Sequence, residues 1–192
     1  ECVERFDCRG VGIDFSDEGW RGDEENQNLQ LIVGEVSDLP EGLRPDIITM
    51  WHYLEHDYAS HETLQKLAAR ARSDATLVIE VPDFDSASRQ KFGASWAGFH
   101  TPRHFSVFSE NNLRILLEKN GWDVERIDRF GTLDPYVLHW TSRMEEKGIA
   151  WNKSMEGEFW KFVLGMIAFW PTKLREKTTP LGLMTAYAKP KS

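Results

Sequence analysis

Apolar residues fall in short, separated runs along this chain, and most of the runs are rich in β-branched side chains. Gly10-Val11-Gly12-Ile13 ending in Asp14, Leu29 to Val33, Ile47 to Trp51, Thr76 to Val81 closed by Pro82, Trp122 to Phe130 and Leu183 to Ala188 each have the length and composition of a strand. Between them the period changes. After the third run Leu64, Leu67, Ala68 and Ala71 recur at helical spacing, with Ser60 placed to cap the helix and Ser73-Asp74 to end it. Ser109 is placed to cap a second helix, Glu110 to Asn120, whose Leu113, Leu116 and Leu117 share a face and whose end is marked by Gly121. Glu1 to Phe6 reads as the tail of a helix, and the acidic segment Ser16 to Asn28, with its two glycines, as a short and frayed one. Strand and helix in alternation predict an α/β fold: a mostly parallel sheet flanked by helices, with the last strand antiparallel to its neighbour. The third run reads as a buried parallel strand.

Two segments interrupt the alternation. Asp83 to Thr101 is longer than most connections, which suggests a functional flap, and its Phe92, Trp96 and Phe99 suit equally a substrate-facing lid or ordinary cover for the sheet edge. Thr132 to Pro180 holds Trp140, Trp151, Trp160 and Trp170 and is nearly continuously apolar over 159–170, so two or more helices are expected there. The resulting division is a core of residues 1–131 and 181–192 and a tryptophan-rich insertion, 132–180. The insertion suits a lid, a homodimer contact or a patch for peripheral membrane contact. The modest number of flanking basic residues, Lys161, Lys173, Arg175 and Lys177, favours the first two.

Composition narrows the class. At 192 residues, 41% hydrophobic and 28% charged, the chain is expected to be one soluble domain, or one with an appendage. A formal net charge of −8 argues against a surface for nucleic acid, because non-specific binding needs massed Lys and Arg opposite phosphates. Cys2 and Cys8 match no zinc or redox spacing, so a reducing cytoplasm and ordinary buried or half-buried thiols are expected. No run approaches the ~20 apolar residues of a membrane span; Phe159 to Trp170 carries Lys161 and stops at Pro171.

The third run ends abruptly in His52, Glu55 and His56. In open α/β sheets ligands sit beyond the carboxyl ends of the strands, so chemistry is expected at these side chains. If a helical turn begins there, positions 52, 55 and 56 share a face, and His104 and His100 follow on a later loop. Three roles stay open. His56 or His104 suits a general base, since imidazole titrates near neutrality. A divalent ion shared by the cluster could bind substrate hydroxyls and lower their pKa; this is the least favoured, and no metal ligand is assigned. Glu55 and His56 could instead hold the loop around Arg103 and His104 as a structural wall.

The segments G-V-G-I-D-F-S, V-G-E-V-S-D-L-P, P-D-I-I-T-M-W-H-Y-L-E-H, L-V-I-E-V-P-D and W-A-G-F-H-T-P-R-H-F-S-V-F-S, in that order, resemble the class I S-adenosylmethionine-dependent methyltransferases. The nearest branch resembles the ubiquinone-biosynthesis-type O-methyltransferases. The resemblance spans about Gly10 to Phe130 and the last strand, and implies a Rossmann-like methyltransferase sheet with helices on both faces. It implies that Asp14 accepts hydrogen bonds from both ribose hydroxyls of S-adenosylmethionine and that Phe15 packs on the adenine. Glu35, where the family usually has Asp, would reach the adenine amino group, and Val36 would offer its backbone. Met50, Trp51 and His52 would line the methionine end. His52, Glu55, His56 and His104 would carry catalysis, and the acceptor would be a small or lipid-like molecule methylated at oxygen.

One departure stands out. The family's first strand and Gly-rich loop would precede Glu1, between the strands ending at Asp14 and Trp51, so the expectation is a truncated chain that by itself binds little cofactor. A non-catalytic methyltransferase-like module that binds a protein partner through the insertion is the alternative. A nicotinamide enzyme is disfavoured, because G-V-G-I-D lies within a strand and forms no phosphate loop.

Overall fold

Among the described residues a strand forms on each of the apolar runs. In the computed structural model, which describes residues 5–18, 20, 28–149 and 156–191, β1 (Gly10–Asp14) pairs in parallel with β2 (Leu29–Val33) as a two-stranded sheet. β3 (Ile47–Trp51), β4 (Thr76–Pro82), β5 (Trp122–Asp128) and β6 (Leu183–Pro190) make a second sheet in the order β3-β4-β6-β5. β3 runs parallel to β4, whereas β6 is antiparallel to both β4 and β5. The expected mixed α/β sheet and its antiparallel closing strand are therefore present.

The core forms where the helical spacing placed leucines. α1 (Ser60–Arg70) turns Leu64 and Leu67 inward, and α3 (Glu110–Lys119) turns Leu113, Leu116 and Leu117 inward. They meet Leu77, Ile79 and Val81 of β4, Trp122 of β5, and Met184 and Ala186 of β6 in one cluster. Complete burial of a leucine such as Leu113 contributes roughly 2 kcal/mol. The indole of Trp122 also donates to the Leu64 carbonyl at 3.0 Å, and Gln65 donates to Asn120 at 2.9 Å, so α1 and the end of α3 are joined by polar as well as apolar contacts. Ser109 caps α3 as expected, accepting from Asn112 N at 3.2 Å. α1 differs: Ala59 holds its cap position, and the Asp57 carboxylate takes the Ala59 amide at 2.7 Å in place of the Ser60 hydroxyl.

β3 is not buried as its apolar run suggested. Among the described residues it hydrogen-bonds only to β4, and no strand is paired with both β1 and β3. Ile47 is accordingly 68% exposed and Trp51 47% exposed, while Met50, on the covered face, is buried. Cys8 is exposed, not half-buried; Cys2 and most of 16–28 lie outside the described residues, as does Trp151.

The 83–101 segment is packed cover and not an open flap. It folds into α2 (Ala87–Phe92) and two single 3₁₀ turns, and Phe92 and Trp96 are buried against Leu138 with Phe99 beside them. The Trp96 indole donates to Ser88 Oγ at 3.0 Å, and Arg129 clamps the buried Asp83 carboxylate with two bonds of 2.9 and 2.7 Å at its base. The insertion supplies α4 (Pro135–Glu146) and α5 (Phe159–Lys173). Tyr136 and Trp140 of α4 pack on Phe162 and Phe169 of α5, leaving Trp160, Leu164, Ile167 and Trp170 exposed on the far side of that helix. Among the described residues no helix is long and apolar enough to cross a membrane.

Candidate functional site

At the carboxyl end of β3 the chain leaves the sheet through His52, whose φ of +51° lies in the left-handed region that non-glycine residues seldom occupy. A 3₁₀ turn, Leu54–His56, follows at once. The expected helical turn is thus present, but His52 stands outside it and faces inward. Its ring lies between two buried carboxylates, Nδ1 3.4 Å from Glu55 Oε1 and Nε2 3.2 Å from Glu80 Oε1. Hydrogen bonding to Glu55 and then Glu80 raises the His52 pKa to about 9 against the opposing effect of burial, so the ring is cationic at neutral pH.

Glu80 belongs to β4, in register with Trp51, and is fully buried. Burial alone would raise its pKa, but bonds from His52 and Thr132 hold it below the ordinary value. Its carboxylate accepts from Thr132 N at 2.7 Å, Thr132 Oγ1 at 2.9 Å and Thr185 Oγ1 at 3.2 Å. Gly131 permits this approach: a Cβ there would lie 2.9 Å from the Glu80 carboxyl carbon and 2.8 Å from Leu183.

Glu55, His56 and His104 come together as the sequence predicted. Each offers a ligand-capable atom such that the three lie within 4.8 Å of one another. His56 donates Nδ1–H to the Arg103 carbonyl at 3.0 Å, and His104 donates Nδ1–H to the Gly98 carbonyl at 2.8 Å. Carbonyls only accept, so both rings carry a proton on Nδ1 and turn Nε2 away from those bonds. Their centroids are 4.6 Å apart at 80°, with His100 edge-on to His104 at 5.1 Å. Burial pushes the His104 and His100 imidazoles below their ordinary pKa. The Glu55 carbonyl accepts from Phe105 N at 2.9 Å, so this turn also fixes the loop that delivers His104.

The tip of β1 reaches the same crevice. Phe15 stacks on Tyr53, centroids 5.5 Å apart and planes 9° from parallel, and the Tyr53 carbonyl accepts from His56 N at 2.9 Å. The Tyr53 phenol is pushed up to about 12, first by burial and then by the negative charges of Asp57, Glu35 and Asp14. Asp14 and Glu35 are exposed, and Asp14 Oδ1 accepts from Ser16 N at 3.2 Å, closing the turn after the strand. Val36 and Met50 are buried in the core, the Val36 carbonyl accepts from Leu39 N at 3.4 Å, and Trp51 lies on the open edge of β3.

Sequence reasoning missed Glu80, Tyr53 and Gly131. Glu80 had a signal: a carboxylate inside the buried run L-V-I-E-V must find partners. Tyr53 had none, since its importance comes from Phe15 arriving from a different sheet. A cavity of about 340 Å³ lies between α2, α4 and α5, lined by Lys91, Tyr136, His139, Arg143 and Phe169 among others, and neither strand-tip cluster lines it. His139 in its wall is driven down to about pKa 4 by burial, with Lys91 and Arg143 adding to the effect.

A family model described as methyltransferase domain matches residues 2–127. No curated protein matches the sequence. Among solved structures, a Haloferax volcanii protein in complex with the Trm112 methyltransferase activator is similar at a TM-score of 0.59 and 17% identity, over 96% of this chain and 73% of that one. Mycolic acid cyclopropane synthase CmaA1, complexed with S-adenosylhomocysteine, gives 0.59 and 13% over 98% and 72%. The plantazolicin methyltransferase BpumL, also with S-adenosylhomocysteine, gives 0.56 and 13% over 99% and 70%. At these identities the likeness is one of fold.

Proposed function

The chain belongs to the methyltransferase-domain family of class I S-adenosylmethionine-dependent methyltransferases, and from that premise we propose that it methylates an oxygen of a small-molecule acceptor in the crevice between the tips of β1 and β3. The carrying observation is the Phe15–Tyr53 stack, which sets the acid of β1 and the imidazoles beyond β3 on one crevice. Asp14 holds the ribose, because a carboxylate accepts from two adjacent hydroxyls at once. Phe15 would cover one face of the adenine, Glu35 and the Val36 backbone would meet its edge, and Trp51 would border the methionine arm.

S-adenosylmethionine supplies an electrophilic methyl on a sulfonium. When bound, it would give that methyl to the acceptor oxygen as its carbon–sulfur bond breaks, leaving a neutral thioether. The proton of the acceptor hydroxyl goes to Nε2 of His56 or His104, each turned by its Nδ1–H bond to a carbonyl so that Nε2 is left for the acceptor. His52 is a positioning residue: its cationic ring neutralises Glu80 and orients Glu55. The insertion acts as a lid through α4, whose Leu138 and Ser142 pack on the 83–101 segment that leads into His104.

The test is transfer of labelled methyl from S-adenosylmethionine by the full-length protein, incubated with a fractionated small-molecule extract. Label in an alkali-labile ester or an aryl ether supports the proposal; label on nitrogen, carbon or macromolecules alone contradicts it. A second reading, a non-catalytic interaction module, is favoured by the exposed Trp160, Leu164, Ile167 and Trp170 of α5, and predicts no transfer with any fraction.

A further inference from the structure

We propose that Glu55, His56 and His104 form a binding site for a single divalent transition-metal ion of borderline softness, zinc or cobalt being the fitting class. The site deepens the acid–base reading above but does not require methyl transfer to be correct, since binding is read without S-adenosylmethionine.

Glu55 carries the inference. Its carboxylate is 1% exposed, and among the described residues a single long ion pair from the His52 ring to Oε1 at 3.4 Å is all that meets it, leaving Oε2 without a donor. A buried carboxylate whose second oxygen has no donor is under-satisfied, and such groups normally gain further hydrogen bonds or a metal. The imidazoles of His56 and His104 are prepared to share a cation with it. Both are turned so that Nδ1–H is spent on a main-chain carbonyl, Arg103 for His56 and Gly98 for His104. That is the outer-shell arrangement that orients metal-bound imidazole and raises its basicity. A base for catalysis needs one such ring; two rings at 4.6 Å, with a buried carboxylate within 4.8 Å of both, make a convergent donor set.

The distances are compatible. Tetrahedral ligands with bonds of 2.0–2.2 Å stand about 3.4 Å apart, so side-chain movement of about 1 Å closes the cluster. Gly98 keeps the His104 carbonyl partner in place, because the Trp96 ring fills the space where a Cβ would project. Two imidazoles and one carboxylate suit zinc, cobalt or iron better than magnesium or calcium, which take oxygen ligands. Three protein ligands also leave a coordination position for water or a substrate oxygen.

The test uses the full-length protein stripped with a chelator and titrated with cobalt chloride and, separately, zinc chloride. The expected result is one ion per chain, with visible cobalt d–d bands of a four- or five-coordinate centre and a raised melting temperature with zinc. H104A and H56A are expected to weaken binding ~100-fold or more and to abolish the zinc-dependent rise. E55Q removes the charge but risks misfolding in a buried site, so H104Q, at a half-buried loop position, serves as the second variant, with circular dichroism confirming its fold. Absence of stoichiometric binding, or binding unchanged in folded H56A and H104Q, overturns the proposal. Metal binding without methyl transfer would count against the function proposed above and leave the site standing.

Discussion

Phe15 lies flat on Tyr53, with ring centroids 5.5 Å apart. The two residues come from strand tips in different sheets, so this contact sets how far the acid at Asp14 stands from the imidazoles after β3. A 5.5 Å spacing leaves no room for a third ring between them, and adenine must take an outer face of the pair or displace Tyr53. F15A removes that face. Its affinity for S-adenosylhomocysteine is expected to fall ~3- to 10-fold, the worth of one aromatic contact, with unchanged melting because Phe15 is half exposed. Isothermal titration of the full-length protein checks it.

Methyl transfer by H56A is expected to drop ~100-fold or more in kcat, the usual contribution of a positioned proton acceptor, while the affinity for S-adenosylmethionine holds. Stopped-flow or steady-state assay against an identified acceptor, together with titration of the cofactor, separates the two quantities. Full turnover in H56A would remove His56 from the chemistry.

Glu80 is a structural keystone under the site. E80Q leaves the protonated His52 beside a neutral amide and breaks the match to Thr132 and Thr185, and removing one partner of a buried charge pair costs about 3 kcal/mol or more. G131A is expected to act through the same network, since its methyl group would meet Glu80 and Leu183 at 2.9 and 2.8 Å. Urea unfolding of each variant is expected to show a lower midpoint. Because both changes disturb one carboxylate, the double variant should lose less than the sum.

His139 makes stability sensitive to acid. Folded, it takes a proton only near pH 4; unfolded, near 6.5. Between these values unfolding binds a proton, so stability is full above about 6.5 and declines as pH falls toward 4. At 1.36 kcal/mol per pH unit the loss reaches about 3 kcal/mol. The cause is its site among Phe92, Tyr136 and Phe169, close to Lys91 and Arg143. H139L is expected to flatten the denaturation midpoint between pH 4.5 and 6.5, and an unchanged slope would assign the acid sensitivity elsewhere.

The strands are legible in the sequence because each is a short β-branched run bounded by turn residues, and Ser109 with its three leucines defines α3 almost to the residue. The exposure of β3 is not legible: Ile47 and Trp51 look like core residues, and only the pairing of strands shows that one edge of β3 has no hydrogen-bonded neighbour among the described residues. The 83–101 segment misleads for a related reason. Its length suggests a flap, but the burial of its aromatic residues depends on Leu138 and Ser142, some forty residues later in the chain. At the site, Glu55 and His56 are placed together by their spacing after one strand, and His104 by its residue type on a later loop, which the fold brings to them. The partition of labour between them is not legible, since it depends on which carbonyl takes each Nδ1 proton and on Glu80 reaching His52 from the adjacent strand.

A crystal structure of the full-length protein with S-adenosylhomocysteine tests most directly whether a nucleoside spans the tips of β1 and β3. The expected result is both ribose hydroxyls on the Asp14 carboxylate, adenine against Phe15, and the sulfur directed toward His56 and His104. A ligand bound elsewhere, or a ribose held without Asp14 while the sulfur faces away from those imidazoles, would contradict it.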